Sequence, residues 1–153
     1  ALVLCWLGDV LLLGRGRGTG LRLGLASFLL GHVAYAVAFT LRGLDPLACL
    51  AAAAGLLVPG FLVLRWLLPQ APSDWRIPVL AYAAVISVMA VSALGGISGP
   101  GGGVIALGAL AFYASDLAVA RERFVQSSFA NKAWGLPLYY GAQLLLAGTA
   151  TSV

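Results

Sequence analysis

Six apolar stretches run through the chain, each separated from the next by a short segment rich in Gly, Pro, Asp or Arg. An apolar run of about 20 residues is long enough to cross the hydrocarbon core of a membrane as an α-helix. The pattern predicts an all-α, polytopic transmembrane helix bundle that forms a single domain. Its helices are expected near residues 1–13, 21–41, 46–68, 77–94, 104–120 and 133–152.

The start of the chain indicates a fragment. Ala1 opens the sequence without an initiator Met and already inside an apolar run, which is too short to span a membrane before Gly14. The run also lacks the charged start and the small-residue cleavage site of a signal peptide. We therefore expect that the beginning of the first helix is missing.

The composition agrees with a membrane protein and excludes a soluble domain. Of the 153 residues, 61% are hydrophobic and 9% are charged, and the mean hydropathy is +1.00, far outside the range of soluble domains. The net charge of +4 does not indicate nucleic-acid binding, because the basic residues lie between apolar runs instead of forming one face. Cys5 and Cys49 have no Cys or His at metal-binding spacing, so no metal or cofactor site is predicted.

The basic residues between the runs predict the orientation of the helices. Arg42 lies between the second and third runs, whereas the other eight occupy the alternate connections: Arg15, Arg17, Arg22, Arg65, Arg76, Arg121, Arg123 and Lys132. The positive-inside rule makes that side cytoplasmic. Because Arg outnumbers Lys eight to one, a bias associated with GC-rich bacterial genomes, we expect an integral protein of a bacterial cytoplasmic membrane.

Two aspartates lie inside apolar runs that are predicted to point in the same direction. Asp9 precedes Arg15 by six residues and Asp116 precedes Arg121 by five, which places both carboxyl groups roughly 7–9 Å inside the basic boundary. A carboxyl group at such a depth is costly and is by default a functional-site candidate. Neither run carries a cation to neutralise its aspartate, so we expect at least one acid to stay neutral or to share a proton.

Other interpretations of these polar residues stay open from the residues alone. A helix-packing hydrogen bond, or a position in the headgroup region, would also explain an aspartate near a helix end. His32, close to the predicted midplane, is as consistent with a buried packing residue as with a catalytic one. The alternative function is a small proton-coupled transporter or carrier, since transporters also use intramembrane acids and kinked helices such as that expected at Pro59-Gly60.

The order and spacing of the polar motifs resemble those of the YhhN-like lysoplasmalogenases over nearly the whole chain. The motifs are Gly8-Asp9, Phe28-x-x-Gly31-His32-x-x-Tyr35, Gly108-Ala-x-x-Phe112-x-x-Ser115-Asp116, and the group Tyr139, Tyr140 and Gln143. Members of this family usually have eight membrane helices, so the resemblance implies six helices of an eight-helix protein. It also implies that Asp9 and Asp116 correspond to the two aspartates of the family.

The resemblance implies hydrolysis of the vinyl ether bond of lysoplasmalogens to a fatty aldehyde and glycerophospho-ethanolamine or -choline. The expected partners are a lysophospholipid substrate and the lipid bilayer. Protonation of the double bond gives an oxocarbenium ion that water captures, so the reaction needs one protonated and one ionised group, as in glycosidases. We expect Asp9 and Asp116 to divide these roles, in either order. The residues expected to bind substrate are His32, Tyr35, Ser115, Tyr139, Tyr140 and Gln143.

Overall fold

The computed structural model describes residues 1–13 and 19–151, and within these ranges the chain forms six α-helices. They are α1 (Leu2–Leu12), α2 (Thr19–Leu41), α3 (Pro46–Leu67), α4 (Arg76–Gly95), α5 (Gly102–Phe124) and α6 (Phe129–Gly148). Two short 3-10 segments, Ser73–Trp75 and Thr149–Thr151, precede α4 and follow α6. The predicted all-α architecture with six helices is confirmed.

Local capping residues determine where helices begin. At α3, the Asp45 carboxylate accepts hydrogen bonds from the backbone N–H groups of Leu47 at 2.8 Å and Ala48 at 3.4 Å, and Pro46 occupies the first helical position. Before α5, Gly101 has a φ of 68°, a left-handed conformation that a residue without a Cβ adopts at no steric cost. Both helix starts are therefore encoded within a few residues of sequence.

Helix α5 does not end where its apolar run ends. It continues through Arg121 and Arg123 to Phe124, and α6 then begins at Phe129, before the apolar run predicted from residue 133. Arg and Glu are good helix formers, and basic side chains at a helix C-terminus interact favourably with the helix dipole. The charged band therefore marks the end of the apolar surface and not the end of the helix.

Contacts at the helix ends show the relative directions of α2, α4 and α5. At one end, Arg22 near the start of α2 pairs with Asp74 just before α4. At the opposite end, Arg42 directly after α2 donates from Nη2 to the carbonyl oxygen of Pro100 just before α5, at 2.5 Å. The starts of α2 and α4 therefore lie together, as do the end of α2 and the start of α5.

The basic residues of the described ranges divide unevenly between these two ends. Arg42 is at one end, and the other end carries Arg22, Arg65, Arg76, Arg121, Arg123 and Lys132. This asymmetry is the one that the positive-inside prediction requires. Arg15 and Arg17, predicted for the same end as the larger group, lie outside the described residues.

Four of the described helices are long and apolar enough to cross a membrane: Thr19–Leu41, Pro46–Leu67, Ser73–Gly95 and Gly102–Phe124. Helix α1 has 11 residues, and α6, which carries Lys132 in its first turn, is not among the four. On α3 only Leu67 is buried, while apolar side chains such as Leu57 and Phe61 are exposed. Apolar surface on this scale is the surface that lipid covers. The chain is an integral membrane protein.

Glycines permit close approach of helices at two contacts. A Cβ on Gly8 of α1 would lie 2.7 Å from the Phe28 ring and 3.2 Å from the Gly24 carbonyl oxygen of α2. A Cβ on Gly135 of α6 would lie 2.5 Å from the Cβ of Ala118 on α5. Small residues at helix contacts are typical of membrane proteins, where packing holds helices together.

The substitution Gly135→Ala is expected to lower the free energy of unfolding by about 1–3 kcal/mol. The Ala118 Cβ is fixed to its backbone, so α5 and α6 must move apart to accept a methyl group. Gly141→Ala is the matched control, since it lies on the same helix and a Cβ there would have no atom within 4 Å. Denaturant titration in mixed micelles measures both variants, and equal stability would contradict the close contact.

Candidate functional site

Asp116 of α5 is held by side chains from two neighbouring helices. The Tyr82 hydroxyl of α4 donates a hydrogen bond to Asp116 Oδ2 at 2.8 Å. His32 Nε2 of α2 lies 3.4 Å from the same oxygen. The His32 side chain is completely buried, whereas that of Asp116 retains 14% of its exposure. Because both neighbours approach Oδ2, the other carboxyl oxygen is left for a further partner.

The environment of His32 is mainly aromatic. Its ring packs edge to face against Phe112, with 4.6 Å between centroids, and against Tyr82 at 5.4 Å. Neither ring nitrogen has a hydrogen bond of standard geometry to the described residues. The separation from Asp116 is therefore a close polar contact and weaker than the hydrogen bond from Tyr82.

A second polar group links α1, α2 and α6 around Asp9. The Tyr139 hydroxyl donates to Asp9 Oδ2 at 2.7 Å. Gln143 Nε2 donates to the Tyr139 hydroxyl at 3.2 Å, and the Tyr35 hydroxyl donates to Gln143 Oε1 at 2.9 Å. Each of these groups donates to the next, so the three hydrogen bonds form one series that begins at Tyr35, passes through Gln143 and Tyr139, and ends at Asp9.

Phe112 lies between the two aspartate groups. It is fully buried, and its ring packs edge to face against His32 at 4.6 Å, Tyr139 at 5.4 Å and Tyr35 at 6.2 Å. Asp9 and Asp116 each have a tyrosine as hydrogen-bond donor, and within the described chain no hydrogen bond joins these two aspartates. The two groups are therefore connected through packing on one apolar ring and not through a direct hydrogen bond.

A cavity of about 1020 Å³ lies between α3 and the helices α2, α4 and α5. Its wall consists mainly of apolar side chains such as Leu29 and Phe61. Asp116 and Tyr82 are among its few polar wall residues, whereas Asp9 is not among the described residues that line it. The volume is at the upper end of the range for small-molecule sites. Of the two aspartates inside apolar helices, Asp116 therefore lines the cavity and Asp9 does not line its described part.

One end of this cavity is charged. Arg22, Asp74, Trp75 and Arg123 line it there, at the end of the bundle where α2 and α4 begin and α5 finishes. Arg22 Nη2 lies 3.3 Å from Asp74 Oδ2, and the Arg22 guanidinium carbon lies 5.6 Å from the centroid of the Trp75 ring. We call these four residues the charged mouth of the cavity.

Several predicted site residues lie away from the cavity. Ser115 is 1% exposed, and its Oγ donates to the Phe112 carbonyl oxygen at 2.7 Å, so its hydroxyl is used within α5. Tyr140 is 56% exposed and packs its ring against Tyr139 at 5.0 Å. Four others belong to the aspartate groups without lining the described part of the cavity: His32, Tyr35, Tyr139 and Gln143.

Two tyrosines on the cavity wall are not among the residues predicted from the sequence. Tyr82 holds Asp116, and the Tyr113 hydroxyl lies 3.3 Å from Ser87 Oγ. A signal for them exists, because a phenol hydroxyl within an apolar membrane segment needs a hydrogen-bond partner. Phe112 belongs to the Gly108–Asp116 motif, but the motif does not indicate that its ring packs against His32, Tyr35 and Tyr139.

The fold and the site define an integral membrane protein with a carboxyl group on the wall of an apolar cavity. Comparison with known families assigns it further. The YhhN family matches residues 1–150, and the chain belongs to this family. The resemblance seen in the order of the polar motifs is thereby confirmed.

A curated relative carries a functional name. Lysoplasmalogenase TMEM86A from Bos taurus is 29% identical to this chain over 152 residues. The alignment covers 95% of this chain and 61% of that protein, so the chain spans less than two thirds of the length of the relative. No solved structure matches the chain.

The substitution Phe112→Ala is expected to lower the free energy of unfolding by about 3–5 kcal/mol, because it leaves a void among the three rings that Phe112 contacts. Phe129→Ala is the matched control, since Phe129 is 83% exposed at the start of α6. Denaturant titration of both variants in the same micelles measures the difference. A similar loss in the two variants would argue against a packing role for Phe112 between the aspartate groups.

Proposed function

We propose that this chain carries the active site of a membrane-embedded hydrolase that cleaves the vinyl ether bond of lysoplasmalogens. The products are a fatty aldehyde and glycerophospho-ethanolamine or -choline. The observation that carries the proposal is Asp116, which lies on the wall of a large apolar cavity and has no Lys or Arg partner among the described residues. Membership of the YhhN family and similarity to a protein named lysoplasmalogenase support the same reaction.

The cavity suits a lipid with one hydrocarbon chain. The apolar wall along α3 can cover the chain, and the charged mouth can receive the phosphate. The vinyl ether of a lysoplasmalogen lies at the junction of chain and glycerol, and Asp116 lies between the apolar wall and the mouth. Arg121 and Lys132 at the same end of the bundle add positive charge for the phosphate.

In this proposal Asp116 is the proton donor. Its carboxyl group protonates the alkene carbon farther from the ether oxygen, and the carboxylate that remains stabilises the oxocarbenium ion. Water then adds to the cationic carbon and returns a proton to the carboxylate. The resulting hemiacetal collapses to the aldehyde as its hydroxyl group loses a proton, its bond to the glycerol oxygen breaks and that oxygen takes up a proton. The net reaction consumes one water molecule and changes no oxidation state overall, so it needs no oxidant or reductant.

Tyr82 and His32 orient the proton donor. Both contact Oδ2 of Asp116, so the second carboxyl oxygen is the one available to substrate. Fixing a carboxyl group in one orientation reduces the reorganisation needed when the double bond is protonated. The buried imidazole packed on Phe112 adds a rigid support behind the acid.

Asp9 is a positioning residue in this scheme. It ends the hydrogen-bond series from Tyr35, Gln143 and Tyr139, and both tyrosine rings of that series pack on Phe112. Phe112 in turn packs on His32 beside the acid. Loss of Asp9 would release this support without removing any group from the cavity wall.

A proton-coupled carrier fits the cavity less well. A carrier needs a water-filled route between the two faces of the membrane. Beyond Asp116 the cavity wall is formed mainly by aliphatic and aromatic side chains, which favour a hydrocarbon chain over water. The same cavity is therefore better explained as a site for a lipid.

The proposed location is a bacterial cytoplasmic membrane with the charged mouth on the cytoplasmic side. Six of the seven basic residues in the described ranges lie at that end of the bundle. The positive-inside rule then places the headgroup of the substrate in the cytoplasmic leaflet.

The substitution Asp116→Asn is expected to reduce aldehyde release from a lysoplasmalogen by at least about 100-fold, because an amide cannot donate the required proton. Asp45→Asn is the matched control. It makes the same chemical change at the N-cap of α3, a position where Asn caps a helix as well as Asp does. Aldehyde is measured with purified full-length protein in detergent. Near-normal activity of folded Asp116→Asn protein would rule out this mechanism.

Asp9→Ala and Tyr139→Phe are each expected to lower kcat by about 10-fold with little change in KM, because positioning is lost while the cavity wall is unchanged. The double variant should lose no more than either single variant, since each change removes one partner of the same hydrogen bond. A loss in Asp9→Ala as large as that in Asp116→Asn, or losses that multiply in the double variant, would show that Asp9 acts directly.

A further inference from the structure

We infer that the charged mouth of the cavity recognises a zwitterionic headgroup, with the phosphate on Arg22 and Arg123 and the ammonium on Asp74 and Trp75. This inference rests on the proposed function and assigns the residues that bind the headgroup at the same site. It assigns selectivity for amino-alcohol lysolipids to one carboxylate and one indole, residues that contribute nothing to the proton transfer itself.

The Arg22–Asp74 pair is arranged to exchange partners. The two side chains lie 3.3 Å apart at the cavity wall and are 67% and 57% exposed. Exposed ion pairs contribute little to stability, so separating these two groups costs little. A zwitterionic headgroup carries the same two charges as the pair. Arg22 can therefore exchange Asp74 for the phosphate, and Asp74 can exchange Arg22 for the ammonium group.

Aromatic rings complete the site for the cation. Trp75 has the Arg22 guanidinium over its ring at 5.6 Å and packs against the Phe124 ring at 5.8 Å. An indole face that already holds one cation can hold an ammonium group, and quaternary ammonium ligands are typically bound on aromatic faces beside a carboxylate. Asp74, the residue before Trp75, supplies that carboxylate.

The phosphate has two guanidinium groups within the mouth. Arg22 and Arg123 both line the cavity wall there. Guanidinium groups bind phosphate oxygens through paired, charge-assisted hydrogen bonds. With the phosphate on Arg22 and Arg123 and the amine on Asp74, each charge of the headgroup has a partner of opposite charge.

The distance from the mouth to the acid supports the same placement. Arg123 follows Asp116 by seven residues, two helical turns, and therefore lies on the same face of α5 about 10 Å away along the axis. Trp75, at the end of the 3-10 segment directly before α4, precedes Tyr82, the partner of Asp116, by seven residues. Two helices thus independently separate the mouth from the acid by about the same length. That length corresponds to the glycerol and phosphate that separate a vinyl ether from its headgroup amine.

The test compares two lipids that cannot be hydrolysed by alkene protonation. Both carry the same saturated alkyl ether chain on glycerol, and they end either in phosphocholine or in a phosphate monoester. Binding is measured with full-length protein in detergent. The natural sequence should bind the phosphocholine lipid about 3- to 10-fold more tightly than the monoester.

Asp74→Asn should bring this affinity ratio close to one by weakening the phosphocholine lipid alone, whereas Arg22→Gln should weaken both lipids. Arg65→Gln is the matched control. It removes one positive charge at the same end of the bundle from a residue that does not line the cavity, and it should change neither affinity. Because any general loss of folded protein affects both lipids, the ratio reports headgroup recognition. An unchanged ratio in Asp74→Asn would overturn the inference.

Aldehyde release from the corresponding vinyl ether lipids separates this inference from the proposed function. If the binding ratio changes as expected but no variant or natural protein releases aldehyde, the hydrolase proposal fails and the headgroup site stands. If aldehyde is released and the ratio is insensitive to Asp74, the headgroup assignment fails and the hydrolase proposal stands.

Discussion

A carboxyl group inside a bundle of apolar helices must find its hydrogen-bond donors within the protein, because the hydrocarbon core of a membrane supplies no water. In this chain the donors are phenols, Tyr82 for Asp116 and Tyr139 for Asp9. Each bond joins two helices, α4 to α5 and α6 to α1. The contacts that satisfy the two acids therefore also set the arrangement of the bundle around the site.

The two aspartates nevertheless occupy different environments. Asp116 reaches the cavity, whereas Asp9 ends a series of three hydrogen bonds away from the described cavity wall. The fully buried ring of Phe112 lies between the two groups. Protonation of a carbon atom needs one accessible acid held in a fixed orientation, and this arrangement offers one accessible acid and a rigid support on its other side.

Helix α3 shapes the cavity because it packs mainly against α4 and stands away from α2 and α5. Its outer surface is apolar and suits lipid, and its inner surface forms one wall of the cavity. The charged mouth lies at one end, so the site combines a long apolar wall with a charged group of residues at its end. This is the distribution of polarity within a single-chain lipid, the class of ligand proposed for the site.

The sequence could predict the number of helices, the alternating direction of the helices and the placement of two acids in apolar segments. These features depend on hydropathy, loop charge and caps such as Asp45-Pro46, which are properties of short segments. The end of α5 at Phe124 was less predictable, since helix formation does not stop where apolar residues stop. The hydrogen-bond partners of the two acids could not be predicted from the sequence. Equal depth in two helices does not specify which faces meet, because rotation of each helix about its axis depends on packing with all its neighbours. Only the tertiary structure therefore pairs Asp116 with Tyr82 and leaves Asp9 off the described cavity wall.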